Sequence, residues 1–285
     1  MSVKIIADST CDLTQELIQK YEISIVPLHV MLGEKEYLDG KNITPDELYQ
    51  WSDAHKTTPT TSAPAVEDVE QLFRERGADG SDLICFTISE QMSTTANVMR
   101  LAAEEAGMAD RVFVVDSANL STGEALMIIE ASLMAQQGMD AQAIVARIEQ
   151  LKPRVRASFV VDTLTYLHRG GRCSSVAALA GGALKLHPRI VVENGTMSAD
   201  KKYRGKMSKV LFNYTKDMEE QLKNAKTDRV FITHSGCEDS IIEEIYSYLK
   251  NLNRFEEILI TRAGSVISSH CGPGTLGVLF IEGNN

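Results

Sequence analysis

The stretch VKIIADST, residues 3–10, sets the pattern from which the fold follows. Its first five residues form an apolar run of strand length, and Asp8, Ser9 and Thr10 end that run before a helical pattern that continues to Tyr21. Two later apolar runs, residues 83–87 and 112–115, are also followed by helical patterns. Strands that alternate with helices pair in parallel through right-handed crossovers. The sequence therefore predicts an α/β protein that begins with a Rossmann-like parallel sheet and flanking helices.

Hydroxyl and carboxylate side chains follow each of these three apolar runs. Ser89 comes after the second run, and Asp116 and Ser117 come after the third. In open α/β sheets, ligands bind outside the carboxyl ends of the strands, so we expect these side chains to share one rim. Ser, Thr and Asp also cap helix N-termini, and capping alone explains any one of them. As a set, they fit a binding rim at least as well.

The second half of the chain has a different pattern. Residues 188–205 are predicted to form a hairpin, because Asn194 and Gly195 separate two strand-like runs. A helix of small residues is predicted over 174–186. Further strand-like runs and amphipathic helical patterns follow as far as residue 281, which predicts a mixed sheet covered by helices.

A domain boundary is predicted near Lys152, Pro153 and Arg154, where the regular pattern is interrupted. The prediction is an N-terminal α/β domain over residues 1–155 and a C-terminal mixed-sheet α/β (α+β) domain over residues 156–285. The ligand site is expected between them.

Composition narrows the classes of function. The 285 residues carry a formal net charge of −10, which argues against nucleic-acid binding and against peripheral binding to anionic membranes. No apolar run is long enough for a membrane span or a signal peptide, which predicts a cytoplasmic protein. The five cysteines are scattered without a CxxC pair, which favours reduced thiols over a disulfide frame or a metal site. Phosphate-loop, nucleophile-elbow, HExxH and GxGxxG motifs are absent, and no cofactor is expected.

Two clusters of neutral hydroxyls precede helical patterns in this acidic chain. One contains Thr57, Thr58, Thr60, Thr61 and Ser62, and the other lies in SEQMSTTANVM, residues 89–99. Helix N-termini carry free N–H groups and a partial positive charge, and hydroxyls add donors there without adding a full charge. Such a site suits a single carboxylate or a similar small anion, whereas a triphosphate would require Lys, Arg or a metal ion.

Three other positions are candidates with open alternatives. His270 precedes a Gly-Pro-Gly turn, where it could hydrogen-bond an anion or act as a base, or be an ordinary loop histidine. Arg172, after two glycines, fits either an anion contact or a helix end whose Arg pairs with a neighbouring acid. The basic stretch DKKYRGK, residues 200–206, fits a solvated hairpin or a docking patch for an acidic partner.

Several motifs together resemble the DegV family, in the family's order and over nearly the whole chain. They are IIADSTCDL (5–13), TTSAP (60–64), the hydroxyl cluster after residues 83–87, TLTYLHRGGR (163–172), KKYRGK (201–206) and HCGPGTLG (270–277). The resemblance implies a two-domain protein that binds a long-chain fatty acid between its domains. It also implies the role of a FakB-type subunit of bacterial fatty acid kinase, which has no catalytic activity alone. Such a subunit presents the acyl carboxylate to a separate ATP-using kinase subunit, which makes an acyl phosphate for phospholipid metabolism, and transient membrane contact is compatible with this role.

The resemblance also implies roles for individual residues. The carboxylate would be held by residues of the TSxP, post-strand and HxGPG segments, which are Thr61, Ser62, Ser93, Thr94, His270 and Gly272. Arg172 and Ser117 would support that site, and Arg204 with Lys202 would dock the kinase. The chain departs from the family at Thr94, where glycine is common, and at Ala96, where an aromatic residue is common nearby. These departures affect the expected head-group geometry more than the ligand class.

Two alternative functions stay open on the sequence. A serine hydrolase would use Ser93 as nucleophile, His270 as base and Asp8 or Asp116 to orient the histidine, although no nucleophile-elbow motif is present. A carrier or sensor of another small anion would use the same rim and would differ only in its ligand.

Overall fold

The structure is a computed structural model that describes residues 2–173 and 186–283. Its strands are β1 (Val3–Asp8), β2 (Ser24–Val26), β3 (His29–Leu32), β4 (Lys35–Leu38), β5 (Thr60–Ser62), β6 (Asp82–Thr87), β7 (Val112–Asp116), β8 (Val155–Val160), β9 (His187–Glu193), β10 (Thr196–Tyr203), β11 (Ala225–His234), β12 (Glu257–Arg262) and β13 (Leu276–Glu282). Its helices are α1 (Gln15–Lys20), α2 (Pro45–His55), α3 (Val66–Arg76), α4 (Thr95–Glu105), α5 (Thr122–Gln136), α6 (Ala141–Leu151), α7 (Thr165–Gly170), α8 (Met207–Asp217), α9 (Glu219–Lys223), α10 (Asp239–Asn251) and α11 (Ser265–Cys271). The small-residue helix predicted over 174–186 lies, apart from residue 186, outside the described part.

The first sheet is parallel, as predicted, with the strand order β2-β1-β6-β7. Its central strands are buried because helices cover them, and their side chains are correspondingly apolar. Helix α5 is buried on nearly every side over its first turns, since it packs between this sheet and the mixed sheet. The site is therefore built around the carboxyl ends of these strands and the start of α5.

The mixed sheet has the order β10-β9-β8-β13-β11-β12. Its neighbours are antiparallel except for β11 and β12, which are parallel. The predicted hairpin is β9–β10, and both turn residues have positive φ, 50° at Asn194 and 78° at Gly195. A two-residue turn with this geometry matches the twist of the strands, which confirms the interpretation of the Asn-Gly pair.

A third, three-stranded sheet was not predicted. The chain divides at Pro27 into β2 of the parallel sheet and β3 of a small antiparallel sheet ordered β4-β3-β5. Proline lacks the N–H that a continuous ladder needs, so the strand ends there. Strand β5 pairs with β3 and places Thr61 opposite Val30. This small sheet carries one wall of the site.

The N-terminus of helix α2 is specified by local sequence. Thr44 accepts from the N–H of Glu47 while the Glu47 side chain accepts from the N–H of Thr44, and Pro45 occupies the first turn. Within the described ranges, no helix is long and apolar enough to cross a membrane.

Candidate functional site

A cavity of about 460 Å³ opens where the rim of the parallel sheet, the small sheet and helix α11 meet. Six of the predicted site residues line it: Thr61, Ser62, Ser93, Thr94, Arg172 and His270. The other lining residues are Leu28, Ala63, Ile88, Glu90, Gln91, Met92, Leu120, Leu167, Met197, Val266, Ile267 and Cys271. The structure thus brings together side chains from four separate motifs, in a cavity whose remaining wall is mostly apolar.

The polar wall is centred on a hydrogen bond between Thr61 and His270. The Thr61 Oγ1 and His270 Nε2 atoms are 2.8 Å apart, although the residues are 209 positions apart in sequence. Thr61 projects from β5, and His270 lies in the last turn of α11. The sequence placed Thr61 at the mouth of a helix, but it lies in a strand, and α3 begins only at Val66 without a side-chain cap.

His270 is neutral in this environment. Burial, together with the Arg172 guanidinium, lowers the pKa of His270 to about 4. Its Nδ1 is buried and has no hydrogen-bond partner among the described residues. A Cβ added to Gly170 would lie 2.4 Å from Nδ1, so the backbone of α7 lies directly against the ring.

These contacts assign the tautomer of His270. A proton on Nδ1 would be a buried donor with no acceptor, which costs roughly 1–3 kcal/mol. We therefore assign the proton to Nε2, which donates to Thr61 Oγ1. The Thr61 hydroxyl then keeps its own proton for a ligand in the cavity.

The loop before α4 contributes a second set of polar side chains to the cavity, Ser93 and Thr94. Ser93 Oγ lies 2.8 Å from Thr95 Oγ1 and accepts from the Thr95 N–H at 3.3 Å, which holds the start of the helix. Thr94 is exposed and has φ −91°, so a residue with a side chain fits there without strain. Ala96 is fully buried. The substitution of glycine by Thr94 therefore leaves the backbone of this loop in an ordinary conformation.

Four other predicted residues do not line this cavity. Ser117 is buried, donates to the Asn119 carbonyl and accepts from the Asn119 N–H, both at 3.1 Å, and so shapes the loop before Leu120. Gly272 ends α11 with φ 78°, and a Cβ there would lie 2.6 Å from the Tyr166 ring. Lys202 lies on β10, and Arg204 follows it; both are exposed.

The chain makes no Ser-His-Asp relay with the predicted members. His270 Nε2 is bonded to Thr61, and the Ser93 hydroxyl is bonded to Thr95. Asp8 accepts from the N–H groups of Thr10 and Ile88. Asp116 accepts from those of Glu90 and Ala118. With Nδ1 of His270 lacking a carboxylate partner in the described structure, no orienting group is present for a hydrolase of that design.

Sequence reasoning missed the apolar wall. A smaller cavity of about 30 Å³ adjoins the first and shares Leu120, Ile267 and Cys271 with it. Beyond these three residues it is lined by side chains that include Phe159 and Leu279 of the mixed sheet. Ile267 and Cys271 are four residues apart on α11 and so share one helix face, which was the available signal. The other lining residues come from separate loops and have no common spacing.

The family model described as DegV matches residues 2–283. The chain belongs to the DegV family. A DegV domain-containing protein from Clostridium acetobutylicum is 31% identical over 288 residues, which cover 98% of this chain and 99% of the relative.

Solved structures of DegV-family proteins share this fold. A Thermus thermophilus DegV family protein, described for its fatty acid binding, has a TM-score of 0.90 at 32% identity over 99% of this chain and 100% of its own. A stearic-acid-binding protein from Eubacterium ventriosum has a TM-score of 0.86 at 29% identity over 98% of each chain. The predicted α/β architecture, with its parallel and mixed sheets, is therefore that of the DegV fold.

Proposed function

We propose that this DegV-family protein binds one long-chain fatty acid and presents its carboxylate to a separate ATP-dependent fatty acid kinase. The observation that carries the proposal is the cavity itself, in which the Thr61–His270 pair forms a polar wall and the remaining surface is mostly apolar. Its volume of about 460 Å³ is within the usual range for small-molecule sites. Two related proteins with the same fold are described as binding fatty acids, one of them stearic acid.

The head group would be held by neutral donors. In the assigned tautomer, the Thr61 hydroxyl is free to donate to a carboxylate oxygen, and the hydroxyls of Ser93 and Thr94 border the same space. The N-terminus of α4 adds a partial positive charge. Arg172 lines the cavity, and its NH1 donates to the Gly170 carbonyl at 2.6 Å. A guanidinium there would attract the anion and later the more highly charged acyl phosphate.

The tail would supply most of the affinity. Burial of a methylene is worth about 0.8 kcal/mol, so a tail of about 14 methylenes gives roughly 11 kcal/mol before the costs of binding. A head-group hydrogen bond contributes about 1–3 kcal/mol. The tail would pass Leu120, Ile267 and Cys271 toward the smaller cavity beside Phe159. The hydroxyls would therefore set orientation and the preference for a carboxylate.

Mass spectrometry of the purified protein tests the binding. The native mass should exceed the denatured mass by one fatty acid per chain, and that difference names the tail. Protein that is purified empty and fails to bind added palmitate or stearate would refute the proposal. Binding of a different small anion would instead identify a carrier or sensor of that anion.

Thr61→Val tests whether the Thr61 hydroxyl binds the carboxylate, since valine lacks the hydroxyl but has nearly the same side-chain shape as threonine. We expect about tenfold weaker binding of a fatty acid, from the loss of about 1.4 kcal/mol, and little change for the corresponding fatty alcohol. Thr60→Val is the matched control on the same strand, because Thr60 is exposed and does not line the cavity. Equal losses for acid and alcohol would contradict the assignment.

Arg204→Ala tests the docking role. Arg204 is exposed beyond the hairpin, so its removal should slow kinase-dependent acyl phosphate formation while leaving the bound fatty acid in place. Arg76→Ala, at an exposed arginine on α3, is the control. Normal phosphorylation with the Arg204 variant would refute docking through this residue without affecting the binding proposal.

A further inference from the structure

Two buried carboxylates from the first part of the chain contact the start of the helix that carries His270. Asp12 Oδ1 accepts from the Gly264 N–H at 2.7 Å. Asp39 Oδ1 accepts from the Ser265 N–H, also at 2.7 Å. Asp12 is 6% exposed and Asp39 is 2% exposed. The first N–H groups of a helix have no partner within the helix, so these two oxygens satisfy them.

Gly264 lies between the two carboxylates. A Cβ added there would lie 3.1 Å and 3.2 Å from the two Asp39 oxygens and 3.3 Å from Asp12 Oδ1. Its φ is −65°, a value open to any residue, so backbone conformation does not require glycine. A side chain at position 264 would instead crowd the two carboxylates that contact the start of α11.

Both aspartates are held in turn by their surroundings, Asp12 through its side chain and Asp39 through its backbone. The Ser121 hydroxyl donates to Asp12 Oδ2. The Asp39 N–H donates to the Leu28 carbonyl at 2.9 Å, and Asp39 forms a bridge with Ile43. Ser265 Oγ also donates to the Ile43 carbonyl at 3.3 Å. The start of α11 is therefore tied to the segments that flank the small sheet.

Helix α11 consequently meets the small sheet and its flanking segment at both ends. Asp39, directly after β4, holds the start of α11, and Thr61 of β5 contacts His270 near its end. Between them, Val266 packs in a buried apolar cluster with Leu28 and Val30. Because α11 has only seven residues, a shift at its start displaces the His270 ring by a similar amount.

We infer that Asp12 and Asp39 are positioning residues for His270, which hold α11 so that His270 Nε2 stays within hydrogen-bond distance of Thr61. The consequence for fatty acid binding rests on the proposed function. The effect on the hydrogen bond between His270 and Thr61 is independent of the proposed function, because that bond is present without a ligand.

The inference requires an acceptor atom rather than a negative charge. Burial raises the pKa of both carboxyl groups, which lowers the cost of a neutral side chain at these positions. An asparagine carbonyl accepts the same N–H, so Asn is the conservative replacement and Ala removes the acceptor.

The test is the nitrogen NMR signal of the His270 ring and its pH titration, recorded on ligand-free Asp39→Ala, Asp39→Asn, Asp12→Ala and Asp12→Asn. The Ala variants should shift the Nε2 signal and move the titration toward that of a free histidine, and the Asn variants should stay near wild type. Glu124→Gln is the control, since the fully buried Glu124 carboxylate bonds Thr10, makes no hydrogen bond to α11 in the described residues and does not line the cavity. Unchanged His270 signals in both folded Ala variants would overturn the inference.

Gly264→Ala supplies a second variant if an Ala variant at Asp12 or Asp39 does not fold. Its added methyl should displace the start of α11 by a few tenths of an ångström and shift the same His270 signals; unchanged signals would count against the inference. Fatty acid affinity should fall about tenfold in the variants that shift His270. A wild-type protein that binds no fatty acid would refute the proposed function, yet the NMR comparison would still decide the positioning role.

Discussion

His270 shows how a few contacts determine the state of one side chain. The ring is neutral because burial and a nearby guanidinium disfavour its charged form. Its Nε2 is committed to Thr61, and its Nδ1 faces the backbone of Gly170. A neutral imidazole avoids forming a tight ion pair with a carboxylate, and under the proposed function this would ease release of the ligand as a more highly charged acyl phosphate.

Gly170→Ala should displace the His270 ring. The added Cβ would lie 2.4 Å from Nδ1, a distance that requires the ring to move and lengthens the bond to Thr61. We expect roughly tenfold loss of fatty acid affinity, measured by equilibrium titration. Gly77→Ala is the control, because its added methyl meets the flexible end of Met108 far from the cavity. Equal affinity in the two variants would show that the close approach has no effect on binding.

The lowered pKa of His270 makes a prediction about stability. An unfolded histidine binds its proton near pH 6.5, whereas the folded protein binds it only near pH 4. Between these values the unfolded chain holds more protons, so this residue makes stability rise with pH, by at most about 3 kcal/mol. Denaturant unfolding at several pH values between 4 and 7 should show a smaller rise in His270→Gln than in wild type.

Asp8 opposes the rise of stability with pH that His270 causes, over nearly the same pH range. Burial raises the pKa of Asp8 to about 6 from an ordinary 3.8, so the folded protein holds the extra proton and stability falls as pH rises between these values. Asp8→Asn should therefore steepen the rise that His270→Gln flattens. Parallel slopes in the two variants would contradict both assignments.

At the residue scale, the motifs indicated candidate positions but not the contacts between them. Thr61, Ser93 and His270 were found from motifs, but nothing local shows that residues 61 and 270 touch. The two glycines before Arg172 fitted either an anion contact or a helix end, and Gly171 does end α7 with φ 69°. The contact of Gly170 with the His270 ring depends on how α7 packs against α11, which no local pattern encodes.

Among the elements, the small sheet was the main feature that the sequence did not reveal. Its strands have three or four residues each, too short for a clear alternating pattern, and β5 is made of hydroxyl residues. The apolar runs over residues 3–7, 83–87 and 112–115 match β1, β6 and β7 to within one residue at each end, because turn residues bound them. The element that carries Thr61 was therefore hidden by its length.

The β9–β10 hairpin contacts the rim of the parallel sheet through its turn. Ser89 Oγ donates to the Gly195 carbonyl at 2.7 Å. A Cβ added to Gly195 would lie 2.6 Å from the Ser89 Oγ atom. Gly195→Ala should lower the free energy of unfolding by about 2 kcal/mol, from strain at positive φ and from this contact. Gly138→Ala has a similar φ of 80° with open space around it and should cost about half as much. Equal denaturation midpoints for both would remove the contact from the explanation.

For the whole molecule, an ion-pair cluster joins α5, which packs on the parallel sheet, to the mixed sheet. Glu130 of α5 accepts from Arg229 at 2.5 Å and from Lys226 at 2.8 Å, both on β11. Its side chain is 17% exposed. This cluster and the packing of α5 fix the two sheets relative to each other, and with them the walls of the cavity.

Glu130→Gln should lower the free energy of unfolding by about 2 kcal/mol, because the buried Arg229 loses its close carboxylate partner and keeps only Glu257, whose Oε2 lies 3.8 Å from the Arg229 Nε. Glu149→Gln, at a side chain 51% exposed that pairs with Lys152, should cost less than about 0.5 kcal/mol. Urea denaturation measures both. Similar costs for the two variants would show that Glu130 acts only as a surface charge.

The alternation of strands and helices was enough to predict a parallel sheet followed by a mixed sheet. The order of strands in the mixed sheet was not predictable, since antiparallel neighbours are chosen by packing over the whole chain. The division into two domains at residue 155 stays a prediction.

The position of β13 has a consequence for synthesis of the chain on the ribosome. This strand lies in the middle of the mixed sheet, between β8 and β11, yet it follows every other strand of that sheet in sequence. The parallel sheet is complete by Asp116 and can form while translation continues. The mixed sheet must wait with its central gap unfilled until the last strand emerges. Nascent chains stalled before Leu276 should therefore expose β8 and β11 as open strand edges and depend on chaperones.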